Sequence, residues 1–547
     1  MTSVIDRPPV VFERVPDRQL RGWRYVPNPP SDDERYSYFG RPARWKFAWL
    51  FVAQILIIYS YVNVVRKSPI LWPGFILLTF MIPPTFVNFW LRVGPQRTSL
   101  TEHIQKVARW RLKTLVLPTI DVFIPVCGED DEVINNTCLH VSRLAYGRPI
   151  NVFVLDDANL FRTRLVAERY GFNYVVRPDK GMWKKAGNLI HAFNITNSAF
   201  IAVFDADFAP RPDFLYETLP YMDDPAIGVV QTAQYFDVKG VNDMSRYSGA
   251  LQELFFRWVQ PARDRYEAAI CAGSNLIYRR DAVVAAGGFA KVPCGEDVHS
   301  GVKIWVANFR TRYVPLALCK GIAPEDWAGL TNQQYRWCRS SMMLMVSDFF
   351  QDAPFSLRQR VCFWAAFLYY MASATYALTS MFPTLVMLWF FPNEVHWANY
   401  LPLIPAFLSA YLIFPRLVRG WDIRIHRVTI VNTFCHVLAV VDALRDKVAA
   451  WVPTGAAKSA NKKRLSTPVK VSILLRTWLL VVQVLLWAGI ARDIHHHQPW
   501  AFVPATALGL LQLYMLGPFL YRLELPRVKY PVANTRITSR GRHARRH

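Results

Sequence analysis

The stretch AFIAVFDADFAPRPDFL, residues 199–215, decides how the chain is read. An apolar run, FIAVF, stops abruptly at Asp205, as a buried strand does when it reaches the edge of a sheet. Asp205-Ala206-Asp207 follows at once. On an extended chain alternate residues point the same way, so the two carboxylates are expected to face one divalent cation. Hard oxygen ligands suit Mg²⁺ or Mn²⁺.

The same rhythm continues outward. TIDVFIPVC (119–127), INVFVLDDA (150–158) and FNYVVRP (172–178) are short apolar runs that end at Gly, Pro or Asp. Helix-like stretches lie between them, DEVINNTCLHVSRLAYG (131–147) and RTRLVAERYG (162–171), with Gly147 and Gly171 read as C-caps. Short buried strands alternating with polar helices predict a doubly wound α/β sheet, which binds its ligands beyond the carboxyl ends of the strands. One aspartate at a strand end is most often a helix cap. Asp156 and Asp157 close one strand and Asp205 and Asp207 another, and that repetition points to a ligand. Further on, KKAGNL (184–189) offers Lys184 or Lys185, with Gly187 permitting close backbone approach. CAGSNLIYRRDAVVAAGGF (271–289) reads as loop, short strand and helix. CGED (294–297) then opens another helix with Glu296 and Asp297, where Asp297 is either a cap or a general base.

The chain around this segment is too apolar for a soluble protein: 52% of its 547 residues are hydrophobic. Phe47–Val65, Ile70–Leu91, Val361–Phe391, Asn399–Phe414, Val471–Ile490 and Pro499–Tyr521 are expected to span a bilayer, and no cleavable signal peptide precedes them. Basic residues gather in the N-terminal segment (1–45), in 416–470 and in the tail (523–547), so these and the 93–360 segment are expected in the cytoplasm. Spans then fall at 46–92 and within 361–522. The net charge of +24 reads as cation facing membrane lipids and argues against nucleic acid. Eight cysteines without C-x-x-C spacing read as reduced thiols.

A last stretch, TNQQYRWCRSSM (331–342), places two glutamines, an arginine and a tryptophan together just before a long apolar run. Taken in order, LDDA, KAGN, FDADF, GSN…YRRDA…GGF, GED and QQYRW resemble the membrane-integrated processive glycosyltransferases of family 2, the synthases of cellulose, hyaluronan and chitin. The resemblance covers about residues 119–345. It implies a GT-A-type doubly wound α/β domain inserted between transmembrane helices, two before and four after. It also implies roles for single residues. Asp156 and Asp157 would hold the nucleotide, and Lys185 its diphosphate. Asp205 and Asp207 would form the D-x-D, with Asp207 on Mg²⁺ or Mn²⁺. Asp297 would be the base of a T-E-D motif in which Gly295 replaces Thr. Gln333, Gln334, Arg336 and Trp337 would form the Q-x-x-R-W surface for acceptor and diphosphate.

Two features depart from that pattern. WVPTGAAKS (451–459) stands where a gating loop is expected, but Lys458 lies two residues too far from Thr454. Ile430, Phe434, Val437, Val441 and Leu444 step by three and four, so RVTIVNTFCHVLAVVDALRD (427–446) is read as an amphipathic interface helix within the segment of interface helix and loop at 424–470. About 26 residues after the last span leave no room for a cyclic di-GMP sensor, and such regulation would need an accessory subunit. The expected function is an inverting transferase in the plasma or inner membrane. It would pass sugar from a UDP-sugar, UDP-glucose first and UDP-N-acetylglucosamine next, to a growing β-linked polysaccharide and move the polymer across the membrane. The alternatives are a non-processive transferase adding one sugar to a lipid or glycan, and a degenerate scaffold.

Overall fold

A computed structural model describes residues 26–40, 43–67, 69, 72, 74–92, 94–236, 242–445 and 465–521. Thr454 and Lys458 lie outside the described residues.

The apolar runs form one eight-stranded sheet: β1 (Ile120–Val126), β2 (Asn151–Asp156), β3 (Asn173–Val175), β4 (Phe200–Val203), β5 (Phe208–Pro210), β6 (Ile227–Phe236), β7 (Leu276–Arg279) and β8 (Arg310–Gly321). The spatial order is β3-β2-β1-β4-β7-β6-β8-β5. The half built from β3, β2, β1 and β4 is parallel, as expected. In the other half β7 runs antiparallel to β4 and β6, and β5 runs antiparallel to β8, so the sheet is mixed. All seven residues of β1 and all ten of β6 are buried, the continuous apolar pattern of strands covered on both faces.

Helix ends were read with mixed success. Gly171 and the pair Gly287–Gly288 adopt the left-handed backbone of helix stops. Gly147 does not close the first helix-like stretch, because that helix runs Asp131–Val141 and ends at Ser142.

Among the described residues six helices are long and apolar enough to cross a membrane: Arg44–Val65, Leu357–Phe390, Trp397–Arg416, Ile425–Leu444, Thr467–Asp493 and Pro499–Leu520. A 19-residue helix, Gly74–Arg92, stands at the expected second span. The chain is a multi-pass membrane protein. Lys67, at the end of the first span, pairs with Glu394 in the turn after Phe382–Phe390. That sets these two helix ends beside each other. Arg211 bonds Asp32 at 2.7 Å and Lys320 bonds Glu34 at 3.0 Å, docking the segment before the first of these helices onto the sheet.

The one-sided stripe expected at 427–446 is not what the Ile425–Leu444 helix presents. Val431 through Val437 are buried without interruption, and Leu444 is 83% exposed. The helix is enclosed between two others, Trp327–Met345 and Leu357–Thr379, so apolar residues are needed all round it. Direct bonds join the catalytic domain to the apolar helices. Tyr335 donates to Asp442 at 2.9 Å, Arg263 to the Cys362 carbonyl at 2.6 Å, Trp258 to Leu417 O at 2.9 Å and Arg265 to Leu91 O at 3.1 Å.

Candidate active site

The carboxyl ends of β1, β2 and β4 open into one acidic cleft. Asp205 and Asp207 are not on a strand. β4 stops at Val203 and β5 starts at Phe208, so the triplet forms the tight turn between them, closed by the Phe208 amide on Asp205 O at 3.1 Å. It is the turn, not strand alternation, that brings the carboxylates together. Its backbone is held on both sides. The Asp205 amide donates to Ser274 Oγ at 2.9 Å, and Thr137 Oγ1 donates to Ala206 O at 2.6 Å.

Lys185 is the lysine that reaches the cleft. Its Nζ lies 2.5 Å from Asp205 Oδ1, 2.8 Å from Gly273 O and 3.7 Å from Glu296 Oε1. Burial works against its charge, but Asp205, Glu296 and Asp297 outweigh it and its pKa is raised. Burial, then Asp205 and Glu129, push the Asp207 carboxyl up to about 7. Glu129 is also raised to about 7, by burial and by Asp205 and Asp156, although it accepts the Cys127 amide at 2.6 Å. A hard divalent cation would relieve the repulsion that the buried Asp207 and Glu129 carboxyls meet. Asp205 and Asp207 could hold such an ion. Among the described residues no three His, Cys, Asp or Glu side chains form a complete metal cluster, so such an ion would draw further oxygens from the diphosphate.

Asp156 and Asp157 are placed differently from each other. Asp156 is fully buried: the Ala158 and Leu160 amides and the Tyr174 hydroxyl donate to its oxygens at 2.7–2.9 Å. Asp157 accepts from Arg177 Nε at 2.8 Å and from the Gly181 amide at 3.2 Å. Arg177, 1% exposed, also bonds Met182 O at 2.6 Å and so folds the loop before Lys185 around itself. Gly187 is explained by that arginine, not by a diphosphate, because a Cβ there would collide with the guanidinium and with Met182 O. Arg177→Met would leave Asp157 buried without its cation, a loss of about 3–5 kcal/mol. Scanning fluorimetry should find a lower thermal midpoint, and an unchanged midpoint would contradict the clamp.

Asp297 does not cap its helix. Gly295 holds the cap position in the left-handed conformation, and Asp297 lies in the first turn of Glu296–Val306. Its carboxylate rests on Gly273, where a Cβ would approach Asp297 Oδ2 to 2.8 Å. Burial, then the Glu296 carboxylate, raise the Asp297 pKa, and Lys185 opposes them. Across the cleft, the Trp327–Met345 helix carries Gln333, Gln334, Arg336 and Trp337. Burial lowers the Arg336 pKa, and Cys294, Glu296 and Asp205 pull it back. Trp337 is 38% exposed, and Gln333 Oε1 is buried with no hydrogen-bond partner among the described residues.

Sequence reading passed over Glu129, Arg177, Ser274 and Thr137. Glu129 was within reach, since CGED (127–130) follows β1 as directly as LDD ends β2. The other three act through backbone or buried partners and carry no local signal.

A mixed sheet whose D-x-D turn faces a lysine, a buried carboxylate pair and an arginine-bearing helix defines a GT-A-like glycosyltransferase fold. Residues 200–413 match the profile of Glycosyl transferase family group 2. It is 31% identical over 264 residues to the cellulose synthase catalytic subunit (UDP-forming) of Pseudomonas fluorescens (strain SBW25), covering 46% of this chain and 35% of that protein. To cellulose synthase 1 of Komagataeibacter xylinus it is 28% identical over 315 residues, 56% of this chain and 20% of that protein. The chain thus spans about a third or less of the length of these relatives. Among solved structures, a mannosyltransferase from Pyrobaculum calidifontis in complex with GDP-Man and Mn²⁺ covers 68% of this chain and 100% of its own. The TM-score is 0.46 and the identity 17%.

Proposed function

We propose that the protein is a processive, inverting polysaccharide synthase that uses a UDP-sugar, UDP-glucose foremost, and passes its polymer through its own spans. One observation carries this reading. The helix bearing Gln333, Arg336 and Trp337 faces Glu296 and Asp205 on one side and the Ile425–Leu444 helix on the other, through Tyr335 and Asp442. A sugar held there lies between the catalytic carboxylate and the membrane helices.

In the proposed reaction Asp297 takes the proton from an acceptor hydroxyl as that oxygen attacks the anomeric carbon. The carbon–oxygen bond to the diphosphate breaks, UDP departs and the configuration inverts. Lys185 and Arg336 set positive charge beside the departing diphosphate. Trp337 offers a flat ring to the terminal sugar, and Gln333 Oε1 lacks only a partner such as a sugar hydroxyl. A divalent cation on Asp205 and Asp207 would add charge stabilisation to the leaving group. On this reading the catalytic domain, the N-terminal segment and the tail face the cytoplasm of a plasma or inner membrane.

The test uses sealed vesicles with the catalytic face outward. Labelled polymer should collect inside, protected from added glycanase, and Trp337→Ala should lower both rate and polymer length with UDP binding retained. Full digestion without detergent, or a product one sugar longer than its acceptor, would favour the non-processive alternative.

The raised Asp297 pKa sets the pH dependence. As pH falls the base is protonated and lost, so kcat/KM should drop along an acid limb. That limb should lie well above pH ~4, where an unperturbed aspartate titrates. A limb at the ordinary aspartate position would remove Asp297 from the role.

A further inference from the structure

The place of Gly295 has a counterpart on the opposite helix. A Cβ added to Gly295 would fall inside the side chain of Ser340, meeting both its Oγ and its Cβ. Ser340 is 4% exposed, and its Oγ is buried with no hydrogen-bond partner among the described residues. It stands seven residues after Gln333, four after Arg336 and three after Trp337, which on a helix puts it on their face. From below, the Gly295 carbonyl takes the His299 amide at 3.3 Å and lies 3.0 Å from His299 Nδ1. The start of the Glu296–Val306 helix is therefore fixed from inside by His299 and from outside by Ser340. The resemblance expects a hydroxyl-bearing side chain at residue 295. Here the hydroxyl at that spot comes from the facing helix.

We propose that Gly295 and Ser340 are a size-matched pair that makes Ser340 a positioning residue. Its side chain, seated in the space only glycine leaves, sets the distance between the helix that starts with Glu296 and Asp297 and the helix that presents Arg336 and Trp337. A buried hydroxyl without a partner is unfavourable, and a close approach of two helices is what it accompanies here. The inference rests on the reading of Asp297 as base and of 333–337 as the acceptor surface.

The test compares full-length Ser340→Val, Ser340→Ala, Gly295→Ala and the exchange Gly295→Ala with Ser340→Gly, all in nanodiscs. UDP affinity and UDP release from UDP-glucose are measured, with UDP-N-acetylglucosamine replacing the latter if it proves the donor. Ser340→Val should lower kcat about 100-fold with donor KM and UDP affinity within about twofold. Ser340→Ala keeps the size and should stay within about threefold of the parent. The exchange moves one carbon from one helix to the other and should exceed Gly295→Ala in kcat by about tenfold or more. The pair is overturned if Ser340→Val turns over at the parent rate, or if the exchange does no better than Gly295→Ala while both bind UDP. A variant that loses UDP binding has lost its fold, and the exchange then decides. If Asp297→Asn leaves transfer intact, the underlying reading fails. If it abolishes transfer and Ser340→Val does not lower it, only the pair fails.

Discussion

Asp297→Asn should lower turnover by about 10²-fold or more while UDP affinity stays within about twofold. Asparagine keeps the size and much of the hydrogen bonding of aspartate but cannot accept the proton. The site makes this a clean change. Asp297 lies in the first turn of its helix with its carboxylate against Gly273, and Lys185 is bound to Asp205 and to the Gly273 carbonyl. The nucleotide-facing groups therefore keep their partners when the charge at 297 is removed. Steady-state UDP release and isothermal titration with UDP measure the two quantities. A parallel loss of UDP binding would make Asp297 a structural or metal-linked residue, and unchanged turnover would remove it from catalysis.

Asp207→Asn should abolish transfer by several orders of magnitude, and EDTA should do the same to the parent protein, with activity returning on Mn²⁺ or Mg²⁺. Asp207 carries little of the fold, since the turn around it is held through the Asp205 amide and the Ala206 carbonyl. Its carboxyl is instead raised by burial and by Asp205 and Glu129. Removing one of three opposed carboxylates relieves repulsion, so the variant should be at least as stable as its parent. Loss of activity with a thermal midpoint equal to or above the parent's is the expected pair of results. Undiminished transfer in EDTA would reject the metal.

Much of this site could be read from sequence because strand-end residues are exposed to chemistry and bounded by apolar runs. FIAVFDADF announces both a strand and its end, and CGED the start of a helix. Local text gives less about what partners do across the fold. Nothing near Gly187 tells that Arg177 occupies the space above it, and nothing near Gly295 tells of Ser340. The stripe at 430–444 misled because apolar spacing reports one face, whereas helices on several sides bury residues all round. The order of the sheet beyond β4 was equally closed to reading. β7 is short, and its antiparallel seat between β4 and β6 depends on pairing across more than forty residues.

The bonds that tie the catalytic sheet to the apolar helices bear on how such a protein can be taken apart. Tyr335 with Asp442, Arg263 with the Cys362 carbonyl and Trp258 with Leu417 each pair a polar group of the sheet-bearing half with one of the membrane half. Cutting the chain at about residue 360 would orphan these groups and bare the apolar side of the Trp327–Met345 helix. A freely soluble catalytic fragment is therefore not to be had by truncation. Exchanging sheet-bearing halves between relatives should in turn succeed only where the matching helices travel with them.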